Sequence, residues 1–311
     1  MANICITSVC NRQCSYCFAH EPNTPPAFMK LDDFKRSIAF LDRSFVDQVR
    51  ILGGEPTLHP DFKEIIKLAR NTSKKILLFT NGLISDEAIE LLMGFAPENL
   101  TAIVNVTPLD VNREDALSKQ RQVVKRLGPR AALSFNIYKP DISFEILIDL
   151  IENCDTQRMI RLGLALPCLD GKNESLPPRQ YPSVGSRIVR FASRGADLGI
   201  TLSFDCGFVS CMFDEDGLEA LKEAKADIGW RCNPILDINT SGRVLHCLPL
   251  AGKYSEPLSD ESDAAVLRKR FIEQSQHWRR AGIYRDCSLC DLKHSGVCPG
   301  GCLSATIRRF Q

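Results

Sequence analysis

Three thiols close to the start of the chain carry the first chemical signal: Cys10-Asn-Arg-Gln-Cys14-Ser-Tyr-Cys17, a C-x3-C-x2-C spacing. Thiolates this close together can wrap one metal centre from a single short loop. A structural zinc site takes four protein ligands and usually presents C-x2-C pairs. Iron–sulfur clusters are the other common use of clustered thiolates, and a four-iron cluster held by three cysteines leaves one iron open to another ligand. A second signal is Gly53-Gly54-Glu55-Pro56. Glycines there let a ligand approach the backbone, and main-chain groups with a carboxylate can hold an ammonium. Thr80-Asn81-Gly82 is a weaker signal of the same kind. The last third of the chain then holds eight of the fourteen cysteines: Cys206, Cys211, Cys232, Cys247, Cys287, Cys290, Cys298 and Cys302.

The elements that must position these residues alternate. Asn3–Val9, Val49–Gly54, Lys75–Thr80, Ala102–Val106, Ala132–Tyr138 and Met159–Leu166 read as apolar strands. Between them lie helices: one marked by Phe34, Ile38 and Leu41, then Asp61–Arg70, a helix capped by Ser85, Asn112–Leu127 closed by Gly128, and Phe144–Cys154. A Pro/Gly/Asn-rich linker follows over Leu166–Pro182, and a helix at Ser183–Leu198 and a strand at Thr201–Asp205 finish the core. Strict alternation implies parallel strands with right-handed crossovers, hence an open barrel or a doubly wound sheet. In either, ligands gather at the C-terminal strand ends, where the cysteine loop, Gly53–Pro56 and Thr80–Gly82 all fall.

The cysteine loop, with Tyr16 before its last thiol, and the glycine turn after the second strand together resemble the radical S-adenosylmethionine (SAM) superfamily. That resemblance implies an α/β fold, a partial (β/α)6 TIM-like barrel, with a 4Fe-4S cluster on Cys10, Cys14 and Cys17. It implies that SAM chelates the open iron and is reductively cleaved to methionine and a 5′-deoxyadenosyl radical, which takes a hydrogen atom from a substrate. Tyr16 would then lie beside the adenine, and Gly53, Gly54, Glu55 and Pro56 would meet the methionine amino group. Thr80 and Asn81 stand at the third strand end. Ser134, Asn136 and Arg161 stand where relatives hold the ribose and carboxylate, with a plain core hydrogen bond as the alternative for each.

The tail reads Cys232-x9-Gly242-x4-Cys247, then Cys287-x2-Cys290-x7-Cys298-x3-Cys302. Ile235–Ile238 and Arg243–Leu245 flank Asn239–Gly242 as a hairpin that brings the first two cysteines together. This resembles the SPASM/twitch extension that holds auxiliary clusters, which divides the chain into a 1–205 core and a 206–311 extension. By that resemblance Cys232, Cys247 and Cys302, with Cys211 or Cys206, hold an inner cluster, and Cys287, Cys290 and Cys298 an outer one. The Cys290–Cys298 gap is longer than in the family and no cysteine follows Cys302, so the outer cluster has an open iron, another ligand, or is absent. Zinc on Cys287, Cys290, Cys298 and Cys302 is the alternative.

Net charge is +1 over 311 residues that are 44% hydrophobic, so no global field favours nucleic acid. Arg268, Lys269, Arg270, Arg279, Arg280, Arg308 and Arg309 read mostly as a solvated helix face. No basic-then-apolar leader and no long apolar run is visible, so a soluble cytoplasmic metalloprotein is expected, with no membrane span. The start of the chain, nine residues before the loop, suggests no N-terminal peptide-binding domain. The resemblance implies a flavodoxin- or ferredoxin-type reductant. It implies a peptide or protein residue as substrate, with a small metabolite as runner-up and a non-catalytic iron–sulfur or zinc scaffold as the third reading. Weak catalytic candidates are Asp205, Asp237 and Cys168. Cys5 and Cys154 read as buried apolar thiols.

Overall fold

Strand and helix alternate along the computed structural model, which describes residues 2–18, 25–106, 114–141 and 143–311. The first half runs β1 (Asn3–Thr7), α1 (Leu31–Arg43), β2 (Gln48–Gly53), α2 (Phe62–Arg70), β3 (Lys75–Thr80), α3 (Asp86–Met93), β4 (Leu100–Asn105) and α4 (Glu114–Leu127). The second continues β5 (Ala131–Ile137), α5 (Glu145–Asn153), β6 (Met159–Leu164), α6 (Tyr181–Asp197), β7 (Thr201–Phe204) and α7 (Glu215–Glu223). Then come β8 (Asp237–Ile238), β9 (Arg243–Leu245), β10 (Ser255–Pro257), α8 (Ala264–Ala281), α9 (Asp291–His294) and α10 (Leu303–Arg308). Asn112 and Arg113, the expected start of the fourth helix, lie outside the described residues.

β1 to β7 pair in parallel and in chain order. Every residue of β5 except Asn136 is buried, as in a parallel sheet covered on both faces. α2 turns Phe62, Ile65, Ile66 and Ala69 inward, the face its spacing predicts. Ser85 starts α3 by accepting a hydrogen bond from the Ala88 amide at 3.2 Å. Gly128, at φ 54°, closes α4 in the left-handed region that favours glycine. The sheet order is β10-β9-β8-β1-β2-β3-β4-β5-β6-β7, so β7 and β10 are its two edges and the barrel is open.

The expected hairpin around Asn239–Gly242 is present as β8 and β9. Its first arm does something the local pattern does not show: it adds to β1 in parallel, Asn3 opposite Asp237. The 205/206 division falls just past β7, and the chain beyond it returns to the other edge of the same sheet. Most of the basic tail is exposed, as expected, but Arg279 is not a solvated residue. It donates to the Cys232 carbonyl at 2.6 Å and bonds His246 Nε2 at 3.0 Å, fastening α8 to the cysteine hairpin. Among the described residues no helix is long and apolar enough to cross a membrane.

Candidate cluster and cofactor site

One end of the sheet collects the polar residues. The cysteine loop leaves β1, Gly53–Pro56 leaves β2, Thr80–Gly82 leaves β3, and Asn105 ends β4. Asn136 lies near the end of β5, and Asp205 follows β7. These are C-terminal strand ends, the place where open parallel sheets bind ligands.

The glycines of the turn answer first to the chain itself. A β-carbon on Gly53 would lie 2.3 Å from the Thr7 carbonyl oxygen, and one on Gly54 2.3 Å from that of Val9. The Gly54 amide donates to the Thr7 carbonyl at 2.8 Å and the Glu55 amide to the Val9 carbonyl at 2.7 Å. The turn is thereby strapped to the stem of the cysteine loop. Glu55 is fully buried. Its carboxylate accepts from the Thr57 amide and hydroxyl, the Thr80 hydroxyl and the Asn81 amide at 3.2, 2.8, 2.9 and 2.8 Å. Burial raises its pKa, and these bonds act against that rise. Its oxygens are thus engaged by the turn and by the end of β3. Asn81, fixed by this network, donates to Cys10 Sγ at 3.6 Å and to Asn11 Oδ1 at 2.8 Å.

Tyr16 is buried, with its ring 4.8 Å from that of Tyr138. Its hydroxyl accepts from Asn105 Nδ2 at 3.2 Å, and Asn105 Oδ1 accepts from Asn136 Nδ2 at 3.2 Å. A polar chain thus runs from the cysteine loop across β4 to β5. Asn105 escaped the sequence reading; the signal was a polar residue closing the apolar strand Leu100–Asn105. Ser134 is buried and lies in register with Asn105. Arg161 forms an ion pair with Asp205 and stands 5.3 Å from the Phe79 ring centroid. Asp205 is thus half of a salt bridge. Asp237 is buried, accepts from Asn3 Nδ2 and the Leu248 amide, both at 2.7 Å, and is pushed up to about 6 by burial. It pins β8 to β1 and to the start of the segment after Cys247.

A cavity of about 420 Å³ adjoins the cysteine loop. Its walls are Gln13–Ser15, Cys17 and Phe18 on one side, Cys168–Asp170 with Lys172 and Asn173 on another, and Leu248, Pro249, Ala251 and Gly252 on a third. Cys168 lines it, with Sγ 3.5 Å from the Phe18 carbonyl oxygen.

All fourteen cysteines are free thiols. Cys5 and Cys154 are buried. Cys206, Cys232, Cys247 and Cys302 face one another. A hydrogen bond with Cys302, and then burial, push Cys232 up, while the same bond pulls Cys302 down. Burial raises Cys206 and Cys247. Four thiols this close, three half-buried and Cys302 buried, cannot all ionise without a cation among them, and a cationic iron centre would supply it. That donor set fits a cluster. Cys211 instead has Cys298, Cys287 and Cys290 as its thiol neighbours, and burial, followed by these, pushes it up to about 11. The zinc alternative grouped Cys302 with the outer thiols, and the structure places it against Cys232. Among the described residues no three His, Cys, Asp or Glu side chains converge as a single metal ion requires. His246 is buried with its Nε2 3.0 Å from the Arg279 guanidinium, and burial followed by that neighbour pulls its pKa down to about 3.

Residues 4–132 match the Radical SAM superfamily model. Over 140 residues the chain is 32% identical to GTP 3′,8-cyclase of Chlorobaculum tepidum, covering 43% of this chain and 42% of that one. Over 81 residues it is 40% identical to an S-adenosylmethionine-dependent nucleotide dehydratase of Selenomonas ruminantium, covering 26% and 29%. The chain thus spans less than half the length of these curated relatives. In fold it is similar to Streptococcus suis SuiB bound to S-adenosylmethionine, with a TM-score of 0.68 at 17% identity over 97% of this chain and 72% of that one. A second SuiB structure, bound to the precursor peptide SuiA, gives a TM-score of 0.65 at 16% identity over 97% and 71%. The likeness to the radical SAM superfamily, enzymes that work with a 4Fe-4S cluster and S-adenosylmethionine, thus covers residues 4–132 of this chain.

Proposed function

We propose that this chain is a radical SAM enzyme that abstracts a hydrogen atom from a residue of a peptide or protein, with iron–sulfur centres in its C-terminal segment taking up the electron released on oxidation. The observation that carries this reading is the cavity between the cysteine loop and the segment just after Cys247. A substrate held there lies between the first thiol set and the inner C-terminal one. When bound, the first cluster and SAM supply a 5′-deoxyadenosyl radical. The chain's own residues position the rest. Cys10, Cys14 and Cys17 hold the cluster, and Asn81 steadies the Cys10 sulfur. Tyr16, Asn105 and Asn136 form a polar wall for the adenosyl group. Cys168 lines the cavity in which the substrate would lie. A flavodoxin- or ferredoxin-type partner would reduce the first cluster in a reducing compartment such as the cytoplasm.

The named sequence relatives act on nucleotides, which supports a second reading with a small nucleotide as substrate. The cavity favours the peptide. Among the described residues that line it, Lys172 is the one cation, and it is paired with Asp170 at 3.1 Å. A triphosphate calls for several donors of charge-assisted hydrogen bonds. The test is 5′-deoxyadenosine formation by the reconstituted, reduced protein. One arm adds GTP, and another adds a synthetic peptide encoded by a short reading frame beside the gene. Stimulation by the peptide, with loss of hydrogen from its mass, is expected. Stimulation by GTP alone would replace the peptide reading with the nucleotide one.

A further inference from the structure

Cys206 and Cys211 are five residues apart, yet the fold sends them to different places. Cys206 follows β7 directly and faces Cys302, which in turn meets Cys232 and Cys247. Past it the chain turns through Gly207, at φ 101°, and enters a 3-10 turn over Ser210–Met212 that carries Cys211. That turn is pressed onto α6: a β-carbon on Gly185 would sit 2.0 Å from the Met212 carbonyl oxygen. The Cys287 loop is tied to the entry of the same helix, because Tyr284 donates its hydroxyl to the Pro178 carbonyl at 2.6 Å. Cys287 begins a folded stretch in which the Cys290 carbonyl accepts from the Lys293 amide at 3.0 Å and the Cys298 amide donates to the Leu292 carbonyl at 2.8 Å. The Gly300 amide points at Cys298 Sγ, 3.4 Å away. Two loops far apart in sequence therefore bring four thiols, Cys211, Cys287, Cys290 and Cys298, to one end of α6. Tyr181, fully buried at the start of α6, has Cys302, Cys206 and Cys211 around it.

We propose that Cys211 is the fourth ligand of an outer auxiliary iron–sulfur cluster with Cys287, Cys290 and Cys298, and that Cys206 alone completes the inner set with Cys232, Cys247 and Cys302. The proposal rests on the reading of the C-terminal segment as a holder of iron–sulfur clusters. Both clusters are then closed by four thiolates, with no iron left for a substrate to bind. Their part in the reaction is to carry electrons, and Cys211, exposed at the surface, marks the outer end of the route.

The test uses the full chain carrying Cys10→Ala, Cys14→Ala and Cys17→Ala, so that only C-terminal iron remains after anaerobic reconstitution. Iron and sulfide are counted, and Mössbauer and EPR spectra recorded. About eight irons per chain are expected, four per cluster. Adding Cys211→Ala should remove between one and four of them and change one cluster's spectrum. The cluster that Cys206→Ala disturbs should keep its spectrum, and Cys211→Ser should repeat the loss. The proposal is overturned if Cys211→Ala keeps all the iron and the parent spectrum, or if both substitutions disturb the same cluster. Should the parent hold no iron while the wild-type chain still cleaves SAM, the auxiliary-cluster reading falls and the radical SAM assignment stands.

Discussion

Glu55 shows how much of a side chain's surroundings comes from outside its own stretch of sequence. A carboxylate after two glycines at a strand end suggests a ligand contact, but here it is buried with its oxygens held by Thr57, Thr80 and Asn81. Fully desolvated, it acts as a bracket between β2 and β3, and through Asn81 it reaches the Cys10 sulfur. The need for glycine before it was legible in the sequence. The identity of the neighbour was not, because a motif does not say what lies opposite a missing β-carbon. That neighbour is the stem of the cysteine loop, so Gly54→Ala is expected to force Val9 away and to cost about 2–4 kcal/mol. Thermal unfolding and iron content of the Gly54→Ala protein check this; an unchanged melting temperature with full iron would contradict it.

At the scale of elements, the helices and the parallel strands were legible because their signals are local. The α2 face, the Ser85 cap and the glycine closing α4 each lie within a few residues of what they organise. β8 was not legible as part of the main sheet. It is two residues long, and its partner Asn3 lies 234 residues away, so no window of sequence contains the pairing. The separation of Cys206 from Cys211 was hidden for the same reason: it depends on α6. Asp237 fixes β8 to β1, and its buried carboxyl, pushed up from 3.8 to about 6, gives the joint a pH signature. A raised carboxyl binds its proton more tightly in the folded state. Its contribution is thus fully present below about pH 4 and is lost as pH rises through about 6, about 3 kcal/mol in all. Asp237→Asn should flatten that part of the stability curve while losing one acceptor of the two amide contacts. Denaturant unfolding between pH 4 and 7 measures it; a slope unchanged by the substitution would contradict the assignment.

Over the whole molecule, most of the cysteines fall into three sets. Cys10–Cys17 sits at the mouth of β1, the inner set lies beyond the cavity, and the outer set stands at the end of α6. Arg279 holds α8 to the hairpin between Cys232 and Cys247, and Arg309 donates to the carbonyls of Gly282 and Tyr284 near Cys287. Part of the basic tail that reads as solvated charge in sequence therefore clamps main-chain carbonyls around the cysteine loops. The central claim is that the first thiol set drives radical chemistry with SAM. The most direct measurement is 5′-deoxyadenosine and methionine released under anaerobic reduction by the wild-type chain and by the Cys10→Ala/Cys14→Ala/Cys17→Ala variant, with iron counted in both. The account predicts equal amounts of the two products from the wild type and none from the variant, which still holds its C-terminal iron. Equal product from both proteins, or none from a fully iron-loaded wild type, would contradict it.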